Sequence, residues 1–481
     1  MTTIKLDPGA ALLLDALHGA GHAAYAVGGC VRDSLLGLDP HDWDLCTSAR
    51  PEQVMALFGE EKCIPTGLQH GTVTVKQGGR LYETTTFRTE GAYSDGRHPD
   101  AVCFVPEVRE DLARRDFTIN AMAYSAEEGL IDPFGGRDDL AAHLVRAVGE
   151  PERRFEEDAL RILRLYRFAA RFGFAIDPAT GAAARALGPH LDCVSAERIQ
   201  EELLKLLAAP RPGSYLEPAV LAVILPELEP EKQPERFAEL CRTIDRIEPT
   251  AENVPARLAA LLWPLGEAGA RKALRKLKCS NALTDEVTAL VGGSVGSFLL
   301  GHEFELRHPA DALCLERHSH PAGRCPNSNS LFPPQAAVVA VAGHSIARPI
   351  ACGNRVPPQR TVLGETPGTP NTTLTVQAKR LLGRYELPTI QRLTALCSAR
   401  HPEQAVAFAA LRAEAERLTA ENACCRVSQL AVNGRDLMAA GVRPGPGLRQ
   451  VLNALLEAVI TGQTPNEKDA LLAAAAQFSA S

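Results

Sequence analysis

At 481 residues the chain is too long for one compact core, so two to four domains are expected. Hydrophobic residues make up 45% and charged residues 23%, ordinary for a globular protein, while aromatics at 5% argue against a base-stacking platform. A formal net charge of -7 excludes a uniformly basic nucleic-acid coat but leaves room for a local basic stripe.

The 13 cysteines follow no repeating pattern, which reads as free thiols in a reducing cytoplasm. The start, Met1 to Pro8, is polar and has no signal-peptide pattern, and no apolar run of about 18 residues marks a membrane span. Asp7-Pro8 reads as an N-cap with proline at the first helical position, leading a helix through Ala11 to Leu17. Ala23 to Val27 is a short strand that ends at Gly28-Gly29, followed by a helix from about Cys30 to Leu36. A strand carrying Asp42-Trp43-Asp44-Leu45 comes next, then a helix over Pro51 to Phe58. Gly71 to Lys76 and Leu81 to Arg88 alternate as strands do, and Val102 to Val105 is the returning strand after a Gly/Ser/Asp-rich loop at Thr89 to Pro99.

From Arg137 the apolar spacing becomes helical over Glu156 to Phe172, Ser195 to Leu207, Arg236 to Ile247 and Ala256 to Leu277, predicting an all-helical array. The stretch from His318 to Thr375 breaks the pattern with Pro, Ser, Asn and Gly, before helical periodicity resumes at Val376. It reads either as a linker-like insertion or as the product of a frame error in the gene. The expected division is an α+β head over 1–136, a helical neck over 137–210, a helical body over 211–317, the irregular segment 318–375 and a helical tail over 376–481.

Asp42 and Asp44 stand at i and i+2, so in a strand both carboxylates leave one face, about 6 to 7 Å apart. Such a pair can share divalent cations, and phosphoryl transfer uses metals to clamp the attacking and leaving oxygens. Mg²⁺ suits it, being hard and bound by few carboxylates plus substrate phosphates. By itself Asp-x-Asp more often marks a turn or a solvated strand end. Upstream, Gly28-Gly29 ends a strand and opens a helix, which lets backbone N–H groups approach a phosphate, and Arg32 offers a charged fork for a triphosphate.

Val27-Gly28-Gly29-Cys30-Val31-Arg32-Asp33 followed by Asp42-Trp43-Asp44 resembles the head motif of the polymerase-beta-like nucleotidyltransferases, in their class II tRNA nucleotidyltransferase and bacterial poly(A) polymerase branch. Four further segments resemble the family's motifs in the right order: Thr66 to Thr72, Glu83-Thr84-Thr85-Thr86-Phe87-Arg88, Arg114-Arg115-Asp116-Phe117-Thr118-Ile119-Asn120-Ala121, and Glu157-Asp158-Ala159-Leu160-Arg161. The resemblance implies that Gly28, Gly29, Arg32, Arg115 and Asn120 hold triphosphate and ribose, and that Asp116 fixes the geometry of the site. It makes Asp42 and Asp44 the Mg²⁺ ligands. Glu83 reads equally as a third catalytic carboxylate or as a plain surface strand residue.

Asp158 and Arg161, three apart on a strongly helical stretch, are expected to share a face. A carboxylate accepts from an exocyclic amino group and a guanidinium donates to a ring acceptor. Cytosine (N4–H₂ beside N3) and adenine (N6–H₂ beside N1) both match that polarity, whereas uracil and guanine oppose it at about 1 to 3 kcal/mol per mismatched buried group. The resemblance implies this base-selecting role, with Arg164 and Arg167 binding nucleotide on the next turns. Ala159 departs from the proline frequent in the family. The loop Thr89 to Pro99 would let the pocket switch from C to A.

The implied activity is Mg²⁺-dependent, template-independent addition of C, C and A to the 3′ end of tRNA from CTP and ATP. The rivals are a poly(A) polymerase, a CC-adding or A-adding enzyme, and a non-catalytic RNA-binding module. No basic Gly-Arg-Arg/Lys-Phe-Arg segment follows Cys63, which counts against the first, and intact metal ligands count against the last. Arg271, Lys272, Arg275, Lys276 and Lys278 form a basic helical stretch that either follows tRNA phosphates or merely solubilises. Cys314, His318, His320 and Cys325 lack finger spacing, which argues against zinc, and Cys424-Cys425 is expected to pack in a helix.

Overall fold

The computed structural model describes residues 3–90, 102–293 and 372–478. Asp7 accepts from the backbone N–H of Gly9 at 2.9 Å and Ala10 at 3.2 Å, so the first helix, α1 (Pro8–Gly19), starts at the expected cap. It lies on a mixed sheet made from β1 (Ala24–Val27), β2 (Leu45–Thr47), β3 (Cys63–Gly67), β4 (Thr72–Gln77), β5 (Arg80–Thr86), β8 (Ala123–Ser125) and β9 (Gly129–Ile131). The strand order is β3-β4-β5-β2-β1-β8-β9. Helices α2 (Gly29–Leu35) and α3 (Pro51–Phe58) follow β1 and β2, and a hairpin of β6 (Arg88–Glu90) with β7 (Val102–Phe104) leads to α4 (Val108–Ala113) and α5 (Gly136–Ala141).

Every neighbouring pair in the main sheet is antiparallel except β2 with β5, which are parallel and aligned Leu45↔Thr84. One step back in that register lie Asp44 and Glu83. The strand β2 starts at Leu45, so Asp42, Trp43 and Asp44 precede it rather than forming part of it. The pleat nonetheless persists, because Val27 N–H still donates to Asp44 O at 2.9 Å and buried Trp43 separates two exposed aspartates.

Beyond the head, α6 (Pro151–Glu157), α7 (Leu160–Phe172), α8 (Pro178–Ala186) and α9 (Ala196–Leu207) make a helical unit. The expectation of uninterrupted helix here fails in a small way: β10 (Leu144–Val145) and β11 (Ala175–Ile176) pair in parallel across α6 and α7. Two continuous helices read from periodicity are also split. Asp158, extended at φ -148 and ψ 103, separates α6 from α7. Trp263-Pro264-Leu265 separates α12 (Val254–Leu262) from α13 (Gly266–Lys276), as expected where proline withdraws an N–H.

The remaining helices are α10 (Pro218–Ile224), α11 (Pro234–Arg246), α14 (Asn281–Gly292), α15 (Thr372–Arg384), α16 (Leu387–Arg400), α17 (Ala405–Ala420), α18 (Gly434–Ala439), α19 (Pro446–Ile460) and α20 (Lys468–Phe478). Residues 318–371 of the irregular segment and 91–99 of the proposed switching loop lie outside the described residues, as do Cys314, His318, His320 and Cys325. The chain on either side of the segment shares one core: Val287 and Leu290 of α14 join Ile390, Leu393 and Leu396 of α16. Cys424 and Cys425 sit in the loop after α17, not in a helix. The last helices have their own core, including Leu437, Val451, Leu455 and Leu471. No helix among the described residues is long and apolar enough to cross a membrane.

One buried cation joins α12 to the ends of α9 and α11. Arg257 of α12 is 0% exposed and donates to Leu207 O (2.7 Å) and Ala209 O (2.5 Å) after α9 and to Ile247 O (3.1 and 2.5 Å) after α11. The ends of two helices present unpaired carbonyls and negative potential, and a guanidinium satisfies both. Arg257→Ala strands these acceptors beside a cavity and is expected to cost roughly 3 kcal/mol or more, read as a fall in the thermal unfolding midpoint.

Candidate active site

The chain turns at Gly28 with φ 77 and ψ -120, a backbone state that favours glycine. A Cβ at this position would lie 2.8 Å from Nη1 of Arg115, so the absent side chain is what lets Arg115 close over the turn. At Gly29 a Cβ would meet only an ordinary contact, 3.6 Å to Arg32 Nη2.

Arg115 is half-buried and shares fully buried Asp111 with Arg114, at 3.3 Å and 2.9 Å. Burial pushes the Asp111 carboxyl up, but the guanidiniums of Arg114 and Arg115 overcome this and hold it below the ordinary range. Opposite, the protein around Asp44 partly desolvates its carboxyl and pushes it up to about 6, although the residue still meets solvent, with Glu83 the next cause, Arg115 opposing and Asp42 adding. Two further acids and one guanidinium therefore bear on the Asp44 carboxylate beside the glycine turn.

This donor set fits Mg²⁺: hard carboxylate oxygens whose mutual repulsion a divalent ion relieves. Asp42 and Asp44 would hold it, and the β2–β5 register puts Glu83 next to Asp44. Among the described residues no three His, Cys, Asp or Glu side chains stand close enough to hold a metal ion by themselves.

Arg32 is not displayed as a free fork toward the turn. At 4% exposure it binds Asp33 through Nε at 2.7 Å and donates from Nη1 to Asn120 Oδ1, while its guanidinium lies 5.2 Å and 4.9 Å from the ring centres of Phe168 and Phe172 on α7. Asn120, in a 3-10 turn at Thr118–Asn120, donates on to Asp116 Oδ1 at 3.0 Å. Asp116 also accepts from Phe117 N (2.8 Å) and, through Oδ2, from Arg164 Nε (2.9 Å) and Nη2 (2.6 Å). Burial opposes its charge, but Arg164 and Asn120 outweigh it and hold the carboxyl far below the usual range. Asp33, Arg32, Asn120, Asp116 and Arg164 thus form one chain of charges from α2 to α7.

Asp158 and Arg161 do not share a helical face, because Asp158 stands outside α7. Its Oδ1 instead caps that helix by accepting from Leu160 N at 3.1 Å, and its Oδ2 accepts from Arg198 of α9 at 2.8 Å. Arg161 is 8% exposed and donates to Arg154 O (3.1 Å), Glu157 Oε2 (2.7 Å) and Arg114 O (3.1 Å). The charge of Asp158 bears on Arg164 and that of Arg161 on Asp116, Arg164's partner. Each keeps spare capacity: two of about four acceptor positions are taken on Asp158, and three of five N–H donors on Arg161.

Arg167 lies 2.6 Å from buried Glu202 and 4.1 Å above the Phe168 ring, and Arg164 is 3.8 Å from Glu202. Arg198 and Glu202, the braces on α9, are absent from the sequence reading. A signal existed: Glu202 falls on the buried stripe with Ile199, Leu203 and Leu206, and a carboxylate at a core position calls for a cation.

Three family profiles match the chain: "Poly A polymerase head domain" over residues 24–146, "Probable RNA and SrmB- binding site of polymerase A" over 173–232, and "tRNA nucleotidyltransferase domain 2 putative" over 382–475. The CCA-adding enzyme of Lactiplantibacillus plantarum is 32% identical over 462 residues, covering 96% of this chain and 93% of that one. That of Levilactobacillus brevis is 33% identical over 466 residues, covering 96% of each. The CCA-adding enzyme of Leuconostoc citreum is 44% identical over a shorter stretch of 252 residues, 52% of this chain and 60% of its own length. The crystal structure of Bacillus stearothermophilus CCA-adding enzyme in complex with CTP matches over 98% of both chains at 30% identity, with a TM-score of 0.67.

Arg198 stands outside the Asp158–Arg161 couple yet orients Asp158 through its Oδ2. Arg198→Gln is therefore expected to leave the mostly buried Asp158 carboxylate without its cation, at a cost of about 1 to 3 kcal/mol. A fall in the thermal unfolding midpoint checks this, and an unchanged midpoint would contradict it.

Proposed function

The chain belongs to the family of CCA-adding enzymes, and from that premise we propose that it adds C, C and A in turn to the 3′ end of tRNA, using CTP and ATP and releasing pyrophosphate. The observation that carries the reading is the unspent hydrogen-bond capacity of Asp158 and Arg161 around the Asp116–Arg164 pair. An acceptor set against donors is the polarity that cytosine and adenine share and that uracil and guanine lack.

Gly28 and Arg115 take the triphosphate at the turn, Asn120 and Asp116 fix the floor between phosphate and base, and Arg164 and Arg167 line the approach from α7. Asp158 accepts from N4 of cytosine or N6 of adenine while Arg161 donates to N3 or N1. Asp42 and Asp44, with Glu83 beside them, would hold Mg²⁺. When bound, the metal supplies charge neutralisation for the terminal hydroxyl's attack on the α-phosphorus. Arg32 acts from beneath, fixing Asn120. The division into a head over 1–136, neck over 137–210, body over 211–317, irregular segment and tRNA-binding tail over 376–481 belongs to the same reading. So does a nucleotide-dependent switch by the segment that begins at Thr89.

The test is tRNA lacking its last three nucleotides, incubated with CTP, ATP or both, with the ends sequenced. The wild-type chain is expected to restore CCA; arrest after CC points to a CC-adding enzyme, and long A tails to a poly(A) polymerase. Asp42→Ala is expected to abolish incorporation while leaving tRNA affinity within about twofold of wild type. Retained activity would sink the metal assignment.

A further inference from the structure

Asp111, on α4, is 0% exposed, and a buried carboxylate that keeps its charge must answer to cations. Its two oxygens have different partners. Oδ1 accepts from the backbone N–H of Arg88 at 3.3 Å and from Arg114 through Nε at 3.0 Å and Nη2 at 2.9 Å. Oδ2 accepts from Arg115 Nη2 at 3.3 Å. The first oxygen is therefore pinned to the start of β6 and to the residue that ends α4, which fixes the plane of the carboxylate. The second is left to aim Arg115.

Arg115 has little else to hold it. Asp111 is its one ion-pair partner among the described residues, and its Nε is buried without a hydrogen-bond acceptor there. Its Nη1 stands over the glycine turn, 2.8 Å from where a Cβ at Gly28 would lie. Competing acids lie nearby, since the charge of Arg115 also bears on Asp44, on which Glu83 and Asp42 act as well. A guanidinium released from Asp111 would be drawn toward those acids or would spread over the rotamers of a long side chain. Resting on the reading of Arg115 as a triphosphate ligand, we propose that Asp111 is a positioning residue for the incoming nucleotide: it holds Arg115 over the glycine turn and away from the carboxylates of the metal site. Asp111 touches no substrate and acts through Arg115 alone. An asparagine fills the same space and still accepts from Arg88 N–H, so it removes the charge without emptying the site.

The test is a double-mutant cycle on KM and kcat for CTP and ATP, with wild type, Asp111→Asn, Arg115→Ala and the pair, and a thermal melt of each to establish folding. Asp111→Asn is expected to raise KM about tenfold for both nucleotides, the scale set by one long side chain regaining its rotamers, with kcat within about twofold of wild type. In the Arg115→Ala background the same change is expected to shift KM by less than about twofold, because the group it aims is gone. Asp111→Ser, a second neutral replacement, is run in parallel in case the first does not fold. A wild-type KM in a folded neutral variant would overturn the proposal, and so would an equal rise in both backgrounds, which would mean that Asp111 acts other than through Arg115. Failure of both neutral variants to fold would make Asp111 a residue of the fold rather than of the site, and equally overturns it. If Arg115→Ala alone leaves KM unchanged, the underlying reading of Arg115 fails and the proposal falls with it, an outcome visible in that single variant and so distinguishable from the others.

Discussion

The molecule turns on a line of buried charge that crosses from head to neck. Arg32 at 4% exposure, Asp33 at 9%, Asn120 at 6% and Asp116 at 8% are withdrawn from water, and all four come from segments with no sequence continuity to α7. Burying a lone ion is prohibitive, and removing one partner of a buried pair costs about 3 to 5 kcal/mol. Each member is instead held from two sides: Arg32 by Asp33 and Asn120, Asp116 by Asn120 and Arg164. The arrangement stabilises only one docking of α2 against α7, because a shift of either helix would strand a charge. Phe168 and Phe172 close the line by stacking under Arg32, Arg164, Arg167 and Arg171.

The consequence is division of labour on a rigid base. The head supplies the glycine turn, Arg115 and the carboxylates; the neck supplies Asp158 and Arg161. On the proposed reading both sets act on one nucleotide, which requires α2 and α7 to be fixed in register, and the charge line links them. Helix α9 braces the reading side, with Arg198 on Asp158 and Glu202 on Arg164 and Arg167. Arg257 in turn anchors the end of α9 to the body, so the brace itself is held.

Much of this is legible in the residues. The cap at Asp7, the turn at Gly28, helix α3 and strands β1, β4 and β5 follow from local chemistry, which sequence records directly; β8 and β9, three residues each, carry too short an alternation to read. What sequence does not record is geometry set by distant partners. Arg32 looks like a phosphate fork until Phe168 and Phe172, far along the chain, enclose it. Asp158 looks helical because apolar periodicity runs through Glu156 to Phe172 without sensing a single extended residue, although an aspartate that can cap the following turn is a natural place for that break. The strand β2 starts later than the alternation suggests, because pleating continues into Asp42 and Asp44 through one further hydrogen bond rather than a full ladder. The split at Pro264, by contrast, is written in the sequence, since a proline inside a helical pattern removes a donor.

The most direct test of this account is a crystal structure of the wild-type chain with CTP bound. It should show the triphosphate at Gly28 and Arg115, and the cytosine edge within hydrogen-bond distance of Asp158 and Arg161, with the line from Asp33 to Arg164 intact. A cytosine lodged away from both side chains, or Asp158 and Arg161 facing separate cavities, would contradict it.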